Sequence, residues 1–324
     1  MGIKNKWKKE EGWRLLGARS IDSAKSQAPG IVQLPGGGYR LFYTAVGPEK
    51  PFATCQGYIL SAFSQDGLAF VPEEGIRVAP QPELAHMALR VLAPSVAAYE
   101  GGWRMYFEAR GDASLPTVIA SAVSEDMLVW ELEQGIRLQG PGSVRAPRYL
   151  ASAGRLYCCD AAGIISARTD NGVDFELEPG HLLQPAGSEF ETGGYSAGEV
   201  VPPGDGDGEW TMFYSAWQDV PPGIAVPPHP SRDSSLSEDF AAASIASDMA
   251  GFRSRIFSAH SADGAVWKRG ECVVAGAGYG EEGVDAVHAE DMSLVALDDG
   301  RYRMYYAACD KDGRWGIASA ITED

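Results

Sequence analysis

Six carboxylates, Asp22, Glu108, Asp160, Glu199, Glu290 and Asp291, fall near the ends of apolar, β-favouring segments. So do Arg110, Arg145, Arg148, Trp217 and His288. A carboxyl group in such a place can give or take a proton, and two of them flanking a bond make an acid–base pair. Arginine forks bind carboxylate or phosphate through paired hydrogen bonds. Arg145 and Arg148 therefore point either to an anionic group on a ligand or to an ion pair with Glu199 or Asp160 between neighbouring elements.

The elements that must position these side chains repeat along the chain. Ser-Ala-x-Ser/Thr recurs at Ser61–Ser64, Ser121–Ser124, Ser166–Thr169, Ser258–Ser261 and Ser319–Thr322. In the first four copies a turn rich in Asp, Asn and Gly follows, then one large aromatic, Phe70, Trp130, Phe175 or Trp267. Strand, polar turn and strand make a hairpin. Upstream of each motif lies an aromatic strand, Tyr39–Tyr43, Trp103–Phe107, Arg155–Cys158, Trp210–Tyr214 or Tyr302–Tyr306. A shorter strand precedes each of these, beginning near Ala28, Ala93, Ala146, Ala197 and Ala289, so each unit reads as four strands, a to d. Within this frame the counterparts of Glu108 are Thr44, Cys159, Ser215 and Ala307. The scaffold itself does not demand a charge there.

The fifth unit stops before its d strand, while Trp7–Leu15 reads like the missing piece. The expectation is an all-β fold, a five-bladed β-propeller whose ring is closed by the N-terminal strand completing the last blade, because an open end would leave a bare strand edge. One domain would span 1–324, with units at about 26–78, 91–138, 144–183, 195–274 and 287–324 plus 7–16. A Pro-rich insertion at 218–251, with a short helix over Ser235–Asp248, would rise on the face where the a strands begin. Loops on that face are where a rigid scaffold places a site.

The chain has 324 residues and a net charge of −17, which argues against nucleic acid and anionic membranes as partners. No apolar stretch is long enough to span a membrane. No secretory signal is visible, so a cytoplasmic location is expected. The five cysteines, Cys55, Cys158, Cys159, Cys272 and Cys309, lack metal-binding spacing and read as small buried hydrophobes in a reducing compartment.

Ala-Pro at the a strands and Arg-Met-Tyr-Tyr at the b strands resemble the furanosidase-type propellers, glycoside hydrolase family 43 with families 32, 68, 117 and 130 as relatives. The resemblance implies a glycoside hydrolase acting on a glycan or oligosaccharide. Glu199, in Ser196-Ala-Gly-Glu199, is similar to the family's acid, and His288 to its pore histidine. The family's other two acids are missing: Gln27-Ala-Pro-Gly30 has no carboxylate and Arg145-Ala-Pro-Arg148 has arginines. Hydrolysis still needs a second carboxylate; Asp22 ranks first for that role and Asp291 next. Arg145, Arg148, Glu108, Arg110, Asp160, Trp217, His288 and Glu290 are the expected substrate-binding residues. If Arg145 and Arg148 bind ligand and not Glu199 or Asp160, a uronic acid, a sialic-type sugar or phosphate would suit them, and Trp217 would stack on a sugar ring or pack the base of the insertion. No cofactor is required, although the resemblance leaves room for a pore cation such as calcium near His288. The competing readings are a carbohydrate-binding propeller without a base, a phosphorylase, and a sialidase-like enzyme, the last suggested by the turn from Ser261 to Trp267. Oligomeric state is left open.

Overall fold

The computed structural model describes residues 6–47, 57–112, 114–187, 191, 194–204, 208–219, 252–276 and 282–323. The insertion and its expected helix lie almost wholly outside these residues. Among the described residues there are strands and two short 3-10 turns, Ala85–Met87 and Ala151–Ala153, and no α-helix. Among the described residues no helix is long and apolar enough to cross a membrane.

Three sheets have four antiparallel strands each. They are β2 (Lys25–Gln33), β3 (Tyr39–Val46), β4 (Tyr58–Ser64) and β5 (Val71–Pro72); β6 (Arg90–Tyr99), β7 (Gly102–Arg110), β8 (Val118–Ser124) and β9 (Glu131–Leu132); and β10 (Arg145–Leu150), β11 (Arg155–Cys159), β12 (Ile164–Arg168) and β13 (Glu176–Leu177). The rest form one larger sheet. In it, β14 (Tyr195–Val201), β15 (Trp210–Asp219), β16 (Phe252–Ser261) and β17 (Lys268–Val274) run in order, as do β18 (His288–Ala296), β19 (Tyr302–Cys309), β20 (Trp315–Thr322) and β1 (Trp7–Leu16). A single parallel bridge, Ser254 to His288, joins these two halves. The architecture is a β-propeller.

The recurring sequence motif has a physical cause. Its first serine donates to a glutamate in or directly after the outermost strand: Ser61 to Glu73, Ser121 to Glu133, Ser166 to Glu178 and Ser319 to Glu10, all at 2.6–2.7 Å. An arginine from the second strand pairs with the same carboxylate: Arg40, Arg104, Arg155 and Arg303. The second serine or threonine accepts the turn N–H of Gly67, Met127, Gly172 or Gly264. Three of those positions are glycine because the backbone there is left-handed, with φ of 71–73°; Met127 takes the same strained conformation at 63°. Glu10 thus does on β1 what Glu73, Glu133 and Glu178 do elsewhere, and β1 pairs antiparallel with β20 from Trp7↔Thr322 to Leu16↔Gly316.

The same arginines also tie each sheet to the next. Arg40 donates to the Asp126 carbonyl, Arg104 to Asn171, Arg155 to Gly264 and Arg303 to Asp66. The inner strands touch in sequence, β2 on β6, β6 on β10, β10 on β14, β14 on β18 and β18 on β2. Apolar layers fill the space between sheets; one contains Phe42, Met105 and Phe107 with Trp130 packed against it. Of the cysteines, Cys158, Cys159 and Cys309 are buried as expected, whereas Cys272 is exposed on β17. Cys55 lies outside the described residues.

Candidate functional site

Each inner strand carries a β-bulge close to its start, between Gln27 and Gly30, Leu92 and Ser95, Arg145 and Arg148, Tyr195 and Gly198, and Glu290 and Ser293. The opposing aromatic on the second strand gives the true alignment. Gly30 faces Phe42, Ser95 faces Tyr106, Arg148 faces Tyr157, Glu199 faces Phe213 and Ser293 faces Tyr305. The alignment by alanine therefore holds for Ala28, Ala93, Ala146 and Ala197 but slips by two in the last unit, where Asp291, not Ala289, matches Ala28. Asp291 has φ of 51°, beside 48°, 52° and 50° at Ala28, Ala93 and Ala146. Its left-handed backbone is thus a property of the bulge, not of a site.

Arg148 and Glu199 are equivalent residues on adjacent strands, and they meet, with Nε 3.1 Å from Oε2. The Arg148 guanidinium also donates to the carbonyls of Met292, Pro147 and Pro29 at 3.0–3.2 Å. Those carbonyls are equivalent positions on β18, β10 and β2. The Nε hydrogen is aimed at Met292, so Glu199 Oε2 touches the guanidinium without accepting a hydrogen bond. Burial outweighs the arginine's charge and raises the Glu199 carboxyl to about 7. Its side chain keeps 22% of its surface open to solvent.

Asp291 is half-buried on the neighbouring strand, with its backbone N–H given to Ser215 Oγ at 2.9 Å. Burial, then the charge of Glu290, raises its carboxyl to about 7, while Arg148, the Ser196 hydroxyl and Lys25 pull the other way. Glu290 is itself buried and accepts the Trp217 indole N–H at 3.2 Å, which packs Trp217 against the strand that carries Asp291. His288, expected to face the pore, is wholly buried. Its Nδ1 lies 3.0 Å from Ser254 Oγ and 3.8 Å from Glu290, and its ring stacks on Trp315. The Lys25 ammonium sits over the same indole at 3.7 Å.

Arg145 is half-buried and donates to the Asp160 carbonyl at 3.2 Å. The Asp160 carboxylate is held by the N–H groups of Ala162 and Gly163 and by His181 Nε2 at 2.9 Å. Burial alone would raise it, but those hydrogen bonds win and lower it. Arg110 stands opposite Arg90 in the β6–β7 ladder and is half-buried.

Two expected site residues prove to be part of the scaffold. Glu108 is buried, pairs with Arg90 at 2.9 Å and accepts the bulge N–H of Ala146. Thr44 and Ser215 accept the equivalent N–H of Ala93 and Asp291, so Glu108 serves a repeated need of the bulge. Asp22 is fully buried and takes hydrogen bonds from Arg19 and Tyr43. Asp285 holds Tyr306, and Glu191 holds Tyr214, in the same manner. An acid that precedes the inner strand and pins a tyrosine of the second strand is a structural repeat, and Asp22, fully buried in that role, does not reach solvent.

The solvent-reaching groups are thus Glu199, Asp291, Arg110, Arg145, Asp160 and Trp217, together with His181, which sequence reasoning passed over because its loop carries none of the repeated motifs. Among the described residues no group of three or more His, Cys, Asp or Glu side chains is placed to hold a metal.

No protein-family model matches this chain, and no curated protein matches it in sequence. Solved structures do match in fold. They include glycoside hydrolases of families 43, 117 and 130. A putative glycoside hydrolase from Parabacteroides distasonis aligns with TM-score 0.69 and 12% identity, over 98% of this chain and 96% of that one. A structure described under the family 130 mannoside phosphorylases, as containing hydrolases that target β-1,2 mannosidic linkages in Candida mannan, gives 0.65 and 12%, over 97% and 93%. A thermostable family 43 glycoside hydrolase gives 0.57 and 13%, over 94% and 91%.

Proposed function

We propose that this chain is a carbohydrate-active enzyme that cleaves a glycosidic bond, with Glu199 as general acid and Asp291 as the second carboxylate. The reading includes one domain over residues 1–324, folded as five blades, with β1 completing the last. The contact of β18 with β2, the Arg303–Asp66 link and the Glu10 repeat all support a closed ring. The fold shared with glycoside hydrolases supports the substrate class.

The observation that carries the role of Glu199 is its carboxyl: enclosed, with Oε2 lacking a hydrogen-bond donor, and raised to about 7. Such a group keeps its proton near neutral pH and can pass it to a leaving oxygen. Asp291, half-buried on the neighbouring strand, would in its ionised form take a proton from water on the other side of the sugar. Arg145, which reaches solvent, would hold an anionic substituent, and Trp217 would offer an indole face. Arg148 has no such role in this reading, because its side chain is 4% exposed and backbone carbonyls take three of its N–H groups.

A second reading is phosphorolysis. Inorganic phosphate would replace the base, so that one protein acid suffices and Arg145 binds the phosphate. Product analysis on a panel of oligosaccharides, with and without inorganic phosphate, tests both. Turnover by the wild type and its loss in a folded Glu199→Gln variant support the enzyme. Binding without product under both conditions would leave a carbohydrate-binding propeller instead.

A further inference from the structure

We propose that the Arg148 guanidinium is a fixed axial cation of this molecule, a positioning residue that fastens the inner strands and holds the Glu199 carboxyl in place. At the level of Arg148 the other inner strands carry Gly30, Ser95, Glu199 and Ser293. Three of the four are small, so one long side chain has room where the strands converge. Gly30 is as small as it can be: a Cβ there would come within 2.3 Å of the Pro94 carbonyl oxygen. The serines face sideways, Ser95 accepting the Tyr149 N–H and Ser293 the Ile31 N–H. The guanidinium is left to reach β2, β18 and its own strand through carbonyls at matching positions, and β14 through Glu199.

A buried cation on carbonyl oxygens is stable only because several acceptors share it, and removing it leaves those acceptors unpaired. Arg148 is 4% exposed on its side chain, which also argues against contact with a ligand. Its charge bears on Glu199 and on Asp291; Glu290 and Lys25 bear on Asp291 as well. The catalytic consequence rests on the reading of Glu199 as the acid, but the structural claim does not.

The test uses the full chain labelled with carboxyl-13C glutamate, with the Glu199 resonance assigned by its loss in Glu199→Gln. In Arg148→Met the Glu199 midpoint should rise by at least one pH unit, and ~10 mM methylguanidinium should raise that variant's thermal midpoint while leaving the wild type unchanged. A folded Arg148→Met with an unmoved Glu199 midpoint and no response to methylguanidinium overturns the proposal. Should that variant fail to fold, Arg148→Lys decides. It keeps the charge but not the fork, so a lower thermal midpoint with Glu199 near its wild-type midpoint is expected, and wild-type stability would contradict the claim. Because no turnover is involved, an inactive protein that passes this test sinks only the enzymatic reading.

Discussion

Arg148 Nε lies 3.1 Å from Glu199 Oε2, yet its hydrogen goes to the Met292 carbonyl. The guanidinium therefore acts on Glu199 through its charge and not as a hydrogen-bond donor. A fork-to-fork pair would hold the carboxylate ionised. This geometry, inside an enclosure that disfavours charge, leaves the carboxyl able to keep its proton.

Stability should accordingly fall as pH rises from 5 to 7. With a folded value of about 7 against an ordinary 4.5, Glu199 binds more protons folded than unfolded across that window. The loss is up to about 1.4 kcal/mol per pH unit, and it ends above pH 7. Asp291 adds a similar slope from its ordinary 3.8 upward. Urea unfolding from pH 5 to 8 should show the slope in the wild type and a shallower one in Glu199→Gln; equal slopes would contradict the account.

Glu108→Gln should act on stability and not on ligand affinity. It strips a charge partner from Arg90, which is 4% exposed, and breaking a buried ion pair costs about 3–5 kcal/mol. Urea midpoints alongside ligand titration check this, and a weaker ligand affinity at unchanged stability would put Glu108 back in the site.

Glu10→Gln should cost about as much as Glu73→Gln, roughly 1–3 kcal/mol each, because both carboxylates serve one arginine and one serine in the same way. Thermal unfolding of the two variants makes the comparison. A harmless Glu10→Gln beside a damaging Glu73→Gln would mean that β1 does not complete the last blade.

The repeat was readable because its parts are obligatory: the serines, the turn glycines and the strand arginines each satisfy a hydrogen bond that recurs in the structure. The site was less readable. Alanine served as the alignment mark, but the bulge is fixed by backbone pairing, so the last unit slipped and Asp291 was matched two positions away from its true counterparts. Asp22 looked like a base because sequence does not display the Tyr43 and Arg19 bonds that bury it. The fate of Arg148 depends on three carbonyls, groups that every residue has and that no motif records.

The central claim is that Glu199 protonates a leaving oxygen, and the dependence of rate on the leaving group tests it most directly. Aryl glycosides of the sugar that the oligosaccharide panel identifies would be compared in wild type and Glu199→Gln. The account predicts that the variant retains cleavage of dinitrophenyl glycosides, whose leaving group needs no proton, and loses at least 100-fold on poor leaving groups, the usual scale of general acid catalysis. An equal loss across all leaving groups, or none, would contradict it.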